Sequence, residues 1–410
     1  MRLRYQIIII GLLRVILNTM HRMVYPFLAI FARGLGVDVT AISFALAGRN
    51  LAGIFGPAFA PVADLRGRKF VMLTGIAFFT VGVGLVAVHP GLLTFSAALI
   101  LAILSKSLFD PSVQAYFGDR VPYQQRGTAI AVTEMAWSLA FIGGVPAMGF
   151  LIGRYGWSAP FPVLAVLGAG MFVIIWRMIP HDRPAAVEAI EGATPPKVWA
   201  GLQTVLTSIP ALAGISIALW ASTANESVNL VFGLWLSDSF GLQIAALAGA
   251  SAVIGIAELS GESLVALLTD RLGKPLAVLL GLSINTLASL LLPIIGRTAV
   301  GALVGLFFFY ISFEFMVVSQ LPMMTETVRH ARGTVMAVNL MTFGLGRSLG
   351  ALLSTFIYAR WGFPAVTLVA GIFNVLAILA LAEMQQKITL VPRLLHWLRA
   401  LATSAKNQGA

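Results

Sequence analysis

Twelve stretches of this chain are each apolar for as long as a helix needs to cross a bilayer, roughly 20 residues. They run over 6–32, 40–62, 70–89, 93–117, 127–151, 159–179, 209–236, 243–268, 275–296, 299–323, 333–358 and 363–382. Inside lipid only helices and closed barrels satisfy their own backbone. These runs are long and do not alternate, so they predict helices, numbered here as spans 1 to 12. Composition agrees. Of 410 residues, 59% are hydrophobic and 10% charged, too little charge to cover a soluble protein of this length. Mean hydropathy is +0.92. Cysteine is absent, which excludes disulfides and thiolate metal ligation and suits a bacterial or archaeal inner membrane. The net charge of +11 reads as loop lysines and arginines of a membrane protein rather than a nucleic-acid surface.

Most connections are short. The exception is 180–208, which carries Pro184, Pro195, Pro196 and several charges. It is expected to be a cytoplasmic linker between an N-terminal lobe over 1–179 and a C-terminal lobe over 209–385, with a basic tail over 386–410. Arg2 and Arg4 ahead of Ile7–Ile10 look like the start of a signal peptide. The run is too long and lacks a small-residue cleavage site, so it is read as span 1. After Pro392, Leu394, Leu395, Leu398 and Leu401 interleave with Arg393, His396 and Arg399. That pattern fits an amphipathic helix on the membrane surface or a frayed end. Taking alternate loops together, one side of the membrane holds 18 Lys and Arg and the other holds four, Arg33, Arg154, Arg297 and Arg360. The positive-inside rule predicts that the basic side, with both termini, is cytoplasmic.

Three motifs recur at a fixed offset of 206 residues. Asp64-Leu-Arg-Gly67-Arg68-Lys69 pairs with Asp270-Arg-Leu-Gly273-Lys274. Arg126-Gly-Thr-Ala-Ile-Ala-Val132 pairs with Arg332-Gly-Thr-Val-Met-Ala-Val338. Arg154-Tyr-Gly-Trp157 pairs with Arg360-Trp-Gly-Phe363. Three matches in register, each at the same place relative to the spans, imply duplication of a six-span unit. Parallel repeats of this kind are one known transporter architecture, with the cargo site at the midplane between them.

At these residues the chain resembles the major facilitator superfamily, whose loop between the second and third helices carries Asp-Arg-x-Gly-Arg-Lys. Asp64, Gly67, Arg68 and Lys69 match, with the middle arginine displaced to Arg66, while Asp270, Arg271, Gly273 and Lys274 fit the second copy. Pro111-x-x-x-Ala115-x-x-x-Asp119-x-x-Pro122-x-x-x-Arg126-Gly is similar to the family's fourth helix and following loop. The resemblance covers nearly the whole chain. It implies an all-α membrane protein with twelve transmembrane helices in two pseudo-symmetric six-helix bundles, working by alternating access. Gly67 permits a tight turn, and Asp64, closing a helix, can pair with a cation or a helix N-terminus. The resemblance implies that the loop motifs, with Arg126 and Arg332, gate the cytoplasmic side. The alternative is a turn whose basic residues only fix topology.

An ionisable residue at bilayer depth faces the bundle interior or a cavity. Eleven qualify: Arg14, Arg22, Arg49, Lys106, Asp110, Glu134, Glu226, Glu258, Glu262, Glu314 and Arg347. Spans 3, 6, 9 and 12 carry none, and the resemblance places those four towards lipid. Arg14, Asn18 and Arg22 share one face of span 1, with Tyr25 near that stripe. Lys106, Asp110 and Gln114 form a stripe on span 4, where Lys106 and Asp110 either serve a site or neutralise each other. Asn225, Glu226 and Asn229 cluster on span 7. Glu258 and Glu262 lie one turn apart on span 8, and two carboxylates that close in low dielectric do not both ionise readily, which suits a proton site. The alternative is that Glu262 is hydrated near the helix end. Glu314 stands alone on span 10 and is the first candidate for a proton or cation site.

Two glycine-rich stretches lie inside spans. Gly143-Gly144-x-Pro146-x-x-Gly149 loosely resembles the antiporter motif of drug exporters, with Val145 where a glycine is usual. Close packing with a kink at Pro146 is the other reading. Gly344-Leu-Gly346-x-x-x-Gly350 has no preceding strand and is not a nucleotide loop.

No His-Glu-x-x-His and no phosphate-binding lysine motif is present, so enzyme chemistry is set aside. The resemblance implies a secondary transporter, and the expected activity is proton-coupled efflux of lipophilic or amphipathic small molecules. Glu134, Glu226 and Glu314 would meet protons or a cationic cargo. Uptake or exchange of an organic anion through Arg14, Arg22, Arg49 and Lys106, and lipid flipping, stay open as alternatives. The expected partners are a small-molecule substrate, protons and membrane lipid, with no cofactor, metal or nucleic acid, and the chain is expected to act as a monomer.

Overall fold

The computed structural model describes residues 3–56, 66–121, 132–180, 198–328 and 332–385. Asp64, Arg126, the linker core over 181–197 and the tail over 386–410 lie outside the described residues. Over its described part every predicted span is built of helix, span 1 in two pieces. Span 1 is Leu3–Arg22 followed by Leu28–Leu35, and span 2 is Val39–Gly53. Spans 3 and 4 are Arg68–Val88 and Leu92–Arg120. Span 5 runs Val132–Tyr155 and span 6 Pro160–Met178. Spans 7 to 10 are Ile209–Phe240, Ile244–Leu272, Lys274–Ile295 and Ala299–Thr327. Spans 11 and 12 form Arg332–Met384, divided at Gly362.

By length and apolarity alone, eight described helices qualify as membrane spans, or nine with one bent pair. The long Arg332–Met384 element contributes two spans, so the spans that fall short alone are 1, 2 and 7. The reason is physical. Spans 1 and 7 carry polar residues at mid-depth, and the described part of span 2 ends early. The same three spans line the junction between the lobes, where polarity has a use.

The duplication read from three motifs extends to backbone geometry. Six described glycines have positive φ, a conformation in which only glycine avoids a Cβ penalty, and they form three pairs. Gly67 (φ 86°) and Gly273 (φ 83°) open spans 3 and 9. Gly156 (φ 92°) and Gly362 (φ 75°) precede spans 6 and 12. Gly36 (φ 66°) and Gly241 (φ 62°) follow spans 1 and 7. The packing repeats as well: spans 3, 4, 6 and 2 contact one another as 9, 10, 12 and 8 do. Between the lobes, span 2 packs on span 11, span 5 on span 8, and the outer part of span 1 on span 7. Spans 3, 6, 9 and 12 present exposed Leu85, Trp176, Leu287 and Ile372, as lipid-facing helices should.

One expectation is corrected. Span 1 is not a continuous helix; it breaks over residues 23–27. Pro26 has no N–H to give and its ring excludes a continued ladder, and span 7 has no proline in its middle. The freed carbonyl of His21 accepts from Arg49 Nη1 at 3.0 Å, so a cation of span 2 caps a helix end at membrane depth. Span 5 contains a π-turn over Ala140–Gly144, immediately before Pro146. The extra residue accommodates the missing proline donor.

At the end of the molecule opposite the loop motifs the lobes touch closely, beneath a pocket of about 470 Å³ lined by Arg33, Trp157, Ser237 and Gln243 among others. A Cβ added at Gly233 of span 7 would lie 2.6 Å from the Pro26 carbonyl oxygen. At Gly255 of span 8 it would lie 2.8 Å from the Ser138 carbonyl, and at Gly149 of span 5 it would lie 3.0 Å from Ala248 Cβ. Within Gly143-Gly144-x-Pro146-x-x-Gly149, Gly144 and Gly149 are thus built into close packing of span 5 against spans 1 and 8, whereas a Cβ at Gly143 would meet open space. We expect Gly233→Ala to wedge this end open. Because the chain has no cysteine, Ala248→Cys is a clean reporter: buried and unreactive towards an impermeant maleimide alone, it should label readily when combined with Gly233→Ala.

Candidate functional site

The charged residues predicted at membrane depth converge between the lobes in linked groups. On spans 1, 4 and 5, Arg14 meets Asp110 at 3.0 Å and Glu134 at 2.8 Å. Lys106 pairs with Asp110 at 2.8 Å and donates to Asn18 Oδ1 at 2.7 Å. Gln114 donates to Glu134 at 3.3 Å. The predicted stripes on spans 1 and 4 therefore face each other, and Lys106 and Asp110 do neutralise one another in part.

Deeper, Arg22 of span 1 reaches across to Glu258 of span 8 with two hydrogen bonds of 2.6 Å. This bidentate geometry matches the guanidinium fork to the carboxylate. Arg22 Nη1 also donates to the Trp137 carbonyl at 3.0 Å. The guanidinium carbon lies 4.3 Å from the Trp137 ring and 3.4 Å from the Phe141 ring, so aromatic faces complete its surroundings. Both partners are buried, with side chains 3% and 6% exposed.

The third group joins the lobes again. Tyr25 of span 1 donates to Glu226 of span 7 at 2.9 Å and receives from Arg49 of span 2 at 2.6 Å. Arg347 of span 11 approaches the same Glu226, but only to 3.8 Å. Asn229 donates to Glu226 at 3.3 Å and accepts from Tyr310 of span 10 at 2.8 Å. Asn225, on the same helix, is buried with its amide nitrogen unpartnered.

The span 8 pair is resolved unequally. Glu258 is taken by Arg22, whereas Glu262 has only Ser138 of span 5, at 3.3 Å. Glu314 does not stand alone as its position on span 10 suggests: it shares an electrostatic environment with Glu258 and Glu262. A Cβ at Gly261 of span 8 would lie 2.9 Å from Glu314 Cβ, so the two helices are nearly in backbone contact there. Among the described residues Glu314 has no hydrogen-bond or ion-pair partner.

Accessibility changes with depth. Towards the loop-motif end, the Glu134, Lys106 and Arg347 side chains keep 44%, 22% and 16% of their surface exposed. Arg22, Glu258 and Glu226 are buried. A cleft between the lobes therefore opens towards the loop-motif end and stops at the Arg22–Glu258 pair. Two of the described gating candidates are engaged elsewhere. Lys69 donates to the Trp176 carbonyl at the end of span 6, and Lys274 pairs with Glu326 of span 10, both within their own lobes. Gly67 and Gly273 open spans 3 and 9. Asp270, Arg271 and Arg332 are exposed.

Sequence reasoning missed four residues of the site. Trp137 lies within 6 Å of Arg22, Lys106 and Arg347 and stacks obliquely on His21. Its signal was spacing, three residues from Glu134 on one helix. Tyr310 stands one turn from Glu314, and His21 and Asn50 adjoin Arg22 and Arg49. Counting charges alone passes over all four.

A twelve-span helical bundle of two repeated halves, with a polar cleft running to mid-depth between them, defines a membrane transporter rather than an enzyme. The family model described as Major Facilitator Superfamily matches residues 10–351. The inner membrane transport protein YdhP of Escherichia coli K12 is 26% identical over 359 residues, covering 86% of this chain and 88% of its own. The multidrug transporter MdfA of Yersinia pestis is 28% identical over 206 residues, 46% of this chain and 47% of its own. The solved structure of the nucleoside transporter NupG superposes with a TM-score of 0.73 at 15% identity, covering 94% of this chain and 99% of that one. The chain belongs to the major facilitator superfamily and is an integral membrane protein.

Removing one member of a buried ion pair leaves an uncompensated charge, at a cost of about 3–5 kcal/mol. Glu258→Leu, which leaves Arg22 uncompensated, should accordingly lower the unfolding temperature in detergent sharply, as should Arg22→Met. The double variant Arg22→Met, Glu258→Leu should recover most of the loss. Additive losses in the double-mutant cycle would mean that the pair contributes no coupling.

Proposed function

We propose that this protein exports lipophilic or amphipathic small molecules by alternating access, in exchange for protons. The observation that carries the reading is Glu314: a carboxyl at membrane depth, beside Glu262 and the Arg22–Glu258 pair, with no countercharge of its own among the described residues. A proton is the natural counter-ion for such a group. Its place next to the pair that joins the lobes means that proton occupancy can bias the lobes' arrangement. Gain or loss of a charge beside Glu258 changes how firmly Glu258 holds Arg22. Glu262, also without a cation in contact, would relay the proton, and Glu134 would meet it at the cleft.

Orientation follows from the positive-inside rule. Placing the basic loops in the cytoplasm puts both termini and the open end of the cleft there, so the cleft is poised to load from the cytoplasm or the inner leaflet. The loop motifs would close that end in the opposite state, through Asp64, Gly67, Arg68, Lys69 and Arg126 and their partners Asp270, Arg271, Gly273, Lys274 and Arg332. Likeness to a multidrug transporter supports efflux. Uptake of an organic anion through four free cations fits less well, because Arg14, Arg22 and Lys106 are each engaged by carboxylates.

The test is efflux from cells loaded with fluorescent lipophilic probes of differing charge, followed with and without a protonophore. Export should collapse at least tenfold with the protonophore. It should collapse equally in Glu314→Gln, with normal amounts of protein in the membrane. Export that persists in both would refute proton coupling through this residue.

A further inference from the structure

The charges between the lobes do not balance locally. Arg14 and Lys106 are matched by Asp110 and Glu134, and Arg22 is matched by Glu258. At the remaining junction the one carboxylate is Glu226, which Arg347 approaches and which Arg49 reaches only through the Tyr25 hydroxyl. Arg347 does not fully claim it: its Nε stands 3.8 Å away and makes no hydrogen bond. Tyr25 adds no charge there, and Asn229 and Tyr310 are neutral. Glu262 and Glu314, which the proposed function gives to protons, form no ion pair with either arginine among the described residues, so one cation here has no carboxylate of its own in contact, in a place where an unmatched charge is costly.

Among the described residues, the unpartnered buried polar side-chain atoms of spans 1 and 2 are all nitrogens. Asn50 Nδ2 has no partner, and its identity is secure because Asn50 Oδ1 accepts from Arg49, which can only donate. Asn18 Nδ2 is likewise unpartnered, its oxygen being held by Lys106. His21 Nδ1 and, on span 11, Arg347 Nε are unpartnered too. Asn18, His21 and Asn50 are each at least nine-tenths buried, at 1%, 3% and 5% exposure. Buried polar groups in native proteins nearly always find a partner, so three unpartnered N–H donors, on Asn18, Asn50 and Arg347, with His21 able to add a fourth in the matching tautomer, define what this junction would bind. It is a hydrogen-bond acceptor carrying negative charge. Around it the walls are apolar: Trp137 and Phe343 lie 5.7 and 5.2 Å from the Arg347 guanidinium. Arg347, whose side chain remains accessible, lies at the inner end of the cleft.

We propose that this junction is the head-group site of the transported molecule, and that the cargo is an amphipathic anion. One carboxylate or phosphate would lie against Arg347 and the nitrogens of Asn50, Asn18 and His21, with the apolar body against Trp137 and Phe343. The proposal rests on the reading of the chain as a carrier of amphipathic molecules, and it names the charge of their polar end. It also separates the two partners of the exchange in space, with the anion at the Arg49–Arg347 junction and the proton at Glu262 and Glu314.

Calorimetric titration of the full-length protein in maltoside provides the test, with octyl phosphate and octyltrimethylammonium as probes of equal tail length. Octyl phosphate should bind saturably and at least tenfold more tightly than the cation. Arg347→Gln should weaken it at least tenfold. Asn50→Asp is the second variant: it keeps the side-chain volume and gives Arg49 a countercharge, so it should fold, yet it cancels the surplus charge and should weaken octyl phosphate to the same degree. Equal affinity for the two amphiphiles, no saturable phosphate binding, or unchanged binding in Asn50→Asp would each overturn the proposal. Binding needs no proton gradient. Export that ignores the protonophore would thus remove the coupling mechanism and leave this result standing, and equal binding of the two probes would do the reverse.

Discussion

The arrangement of the lobes depends on one buried ion pair. Arg22 and Glu258 lie on different lobes, exchange two short hydrogen bonds, and are enclosed by Trp137 and Phe141. Removing two charges from water costs several kcal/mol per ion, and only good geometry with further hydrogen bonds repays it. Here the repayment requires both lobes at once. Arg22 takes its carboxylate from span 8 and its carbonyl partner and aromatic neighbours from span 5. The pair therefore acts less as a source of stability than as a condition on shape: it is satisfied when the lobes meet at this depth and unsatisfied when they separate. The depth at which the cleft ends and the depth of the pair coincide for that reason.

Much of this architecture was legible in the chain. The apolar runs give the spans, and the 206-residue offset gives the two halves. Charge position alone separates lipid-facing spans from cleft-facing ones. The local stripes were legible too, because Arg14, Asn18 and Arg22 or Lys106 and Asp110 follow helical spacing. What spacing cannot give is the partner across the bundle. Glu258 and Glu262 look equivalent in sequence, but one turn of helix aims Glu258 at Arg22 and Glu262 at Ser138. Glu314 looks solitary until Gly261 lets span 8 approach it. The break in span 1 was written as Pro26 within an apolar run, yet hydropathy, which averages over a window, passes over a single missing donor.

The two halves have diverged where they touch each other and stayed alike where they turn. Each pair of positive-φ glycines occupies the same point of the repeat, because a turn with that backbone excludes every side chain at low cost. Facing helices carry no such restriction. Span 1 has gained a proline and cations, while span 7 has gained Glu226 and its asparagines. The result is an N-terminal lobe rich in buried bases and a C-terminal lobe rich in buried acids, which the duplication alone would not produce.

The break in span 1 has a mechanical consequence. Its inner part, Leu3–Arg22, is tied to span 5 and to Glu258, while Leu28–Leu35 begins beyond the point where Pro26 lies against Gly233 of span 7. A continuous rod would transmit any tilt at mid-membrane unchanged to its far tip. A jointed one need not: the five residues between the segments can take up the angle, with Arg49 capping the freed carbonyl of His21 on the inner side of the joint. The outer mouth is thereby decoupled from the floor of the cleft, and the door on that side can swing on a joint no wider than one turn of helix.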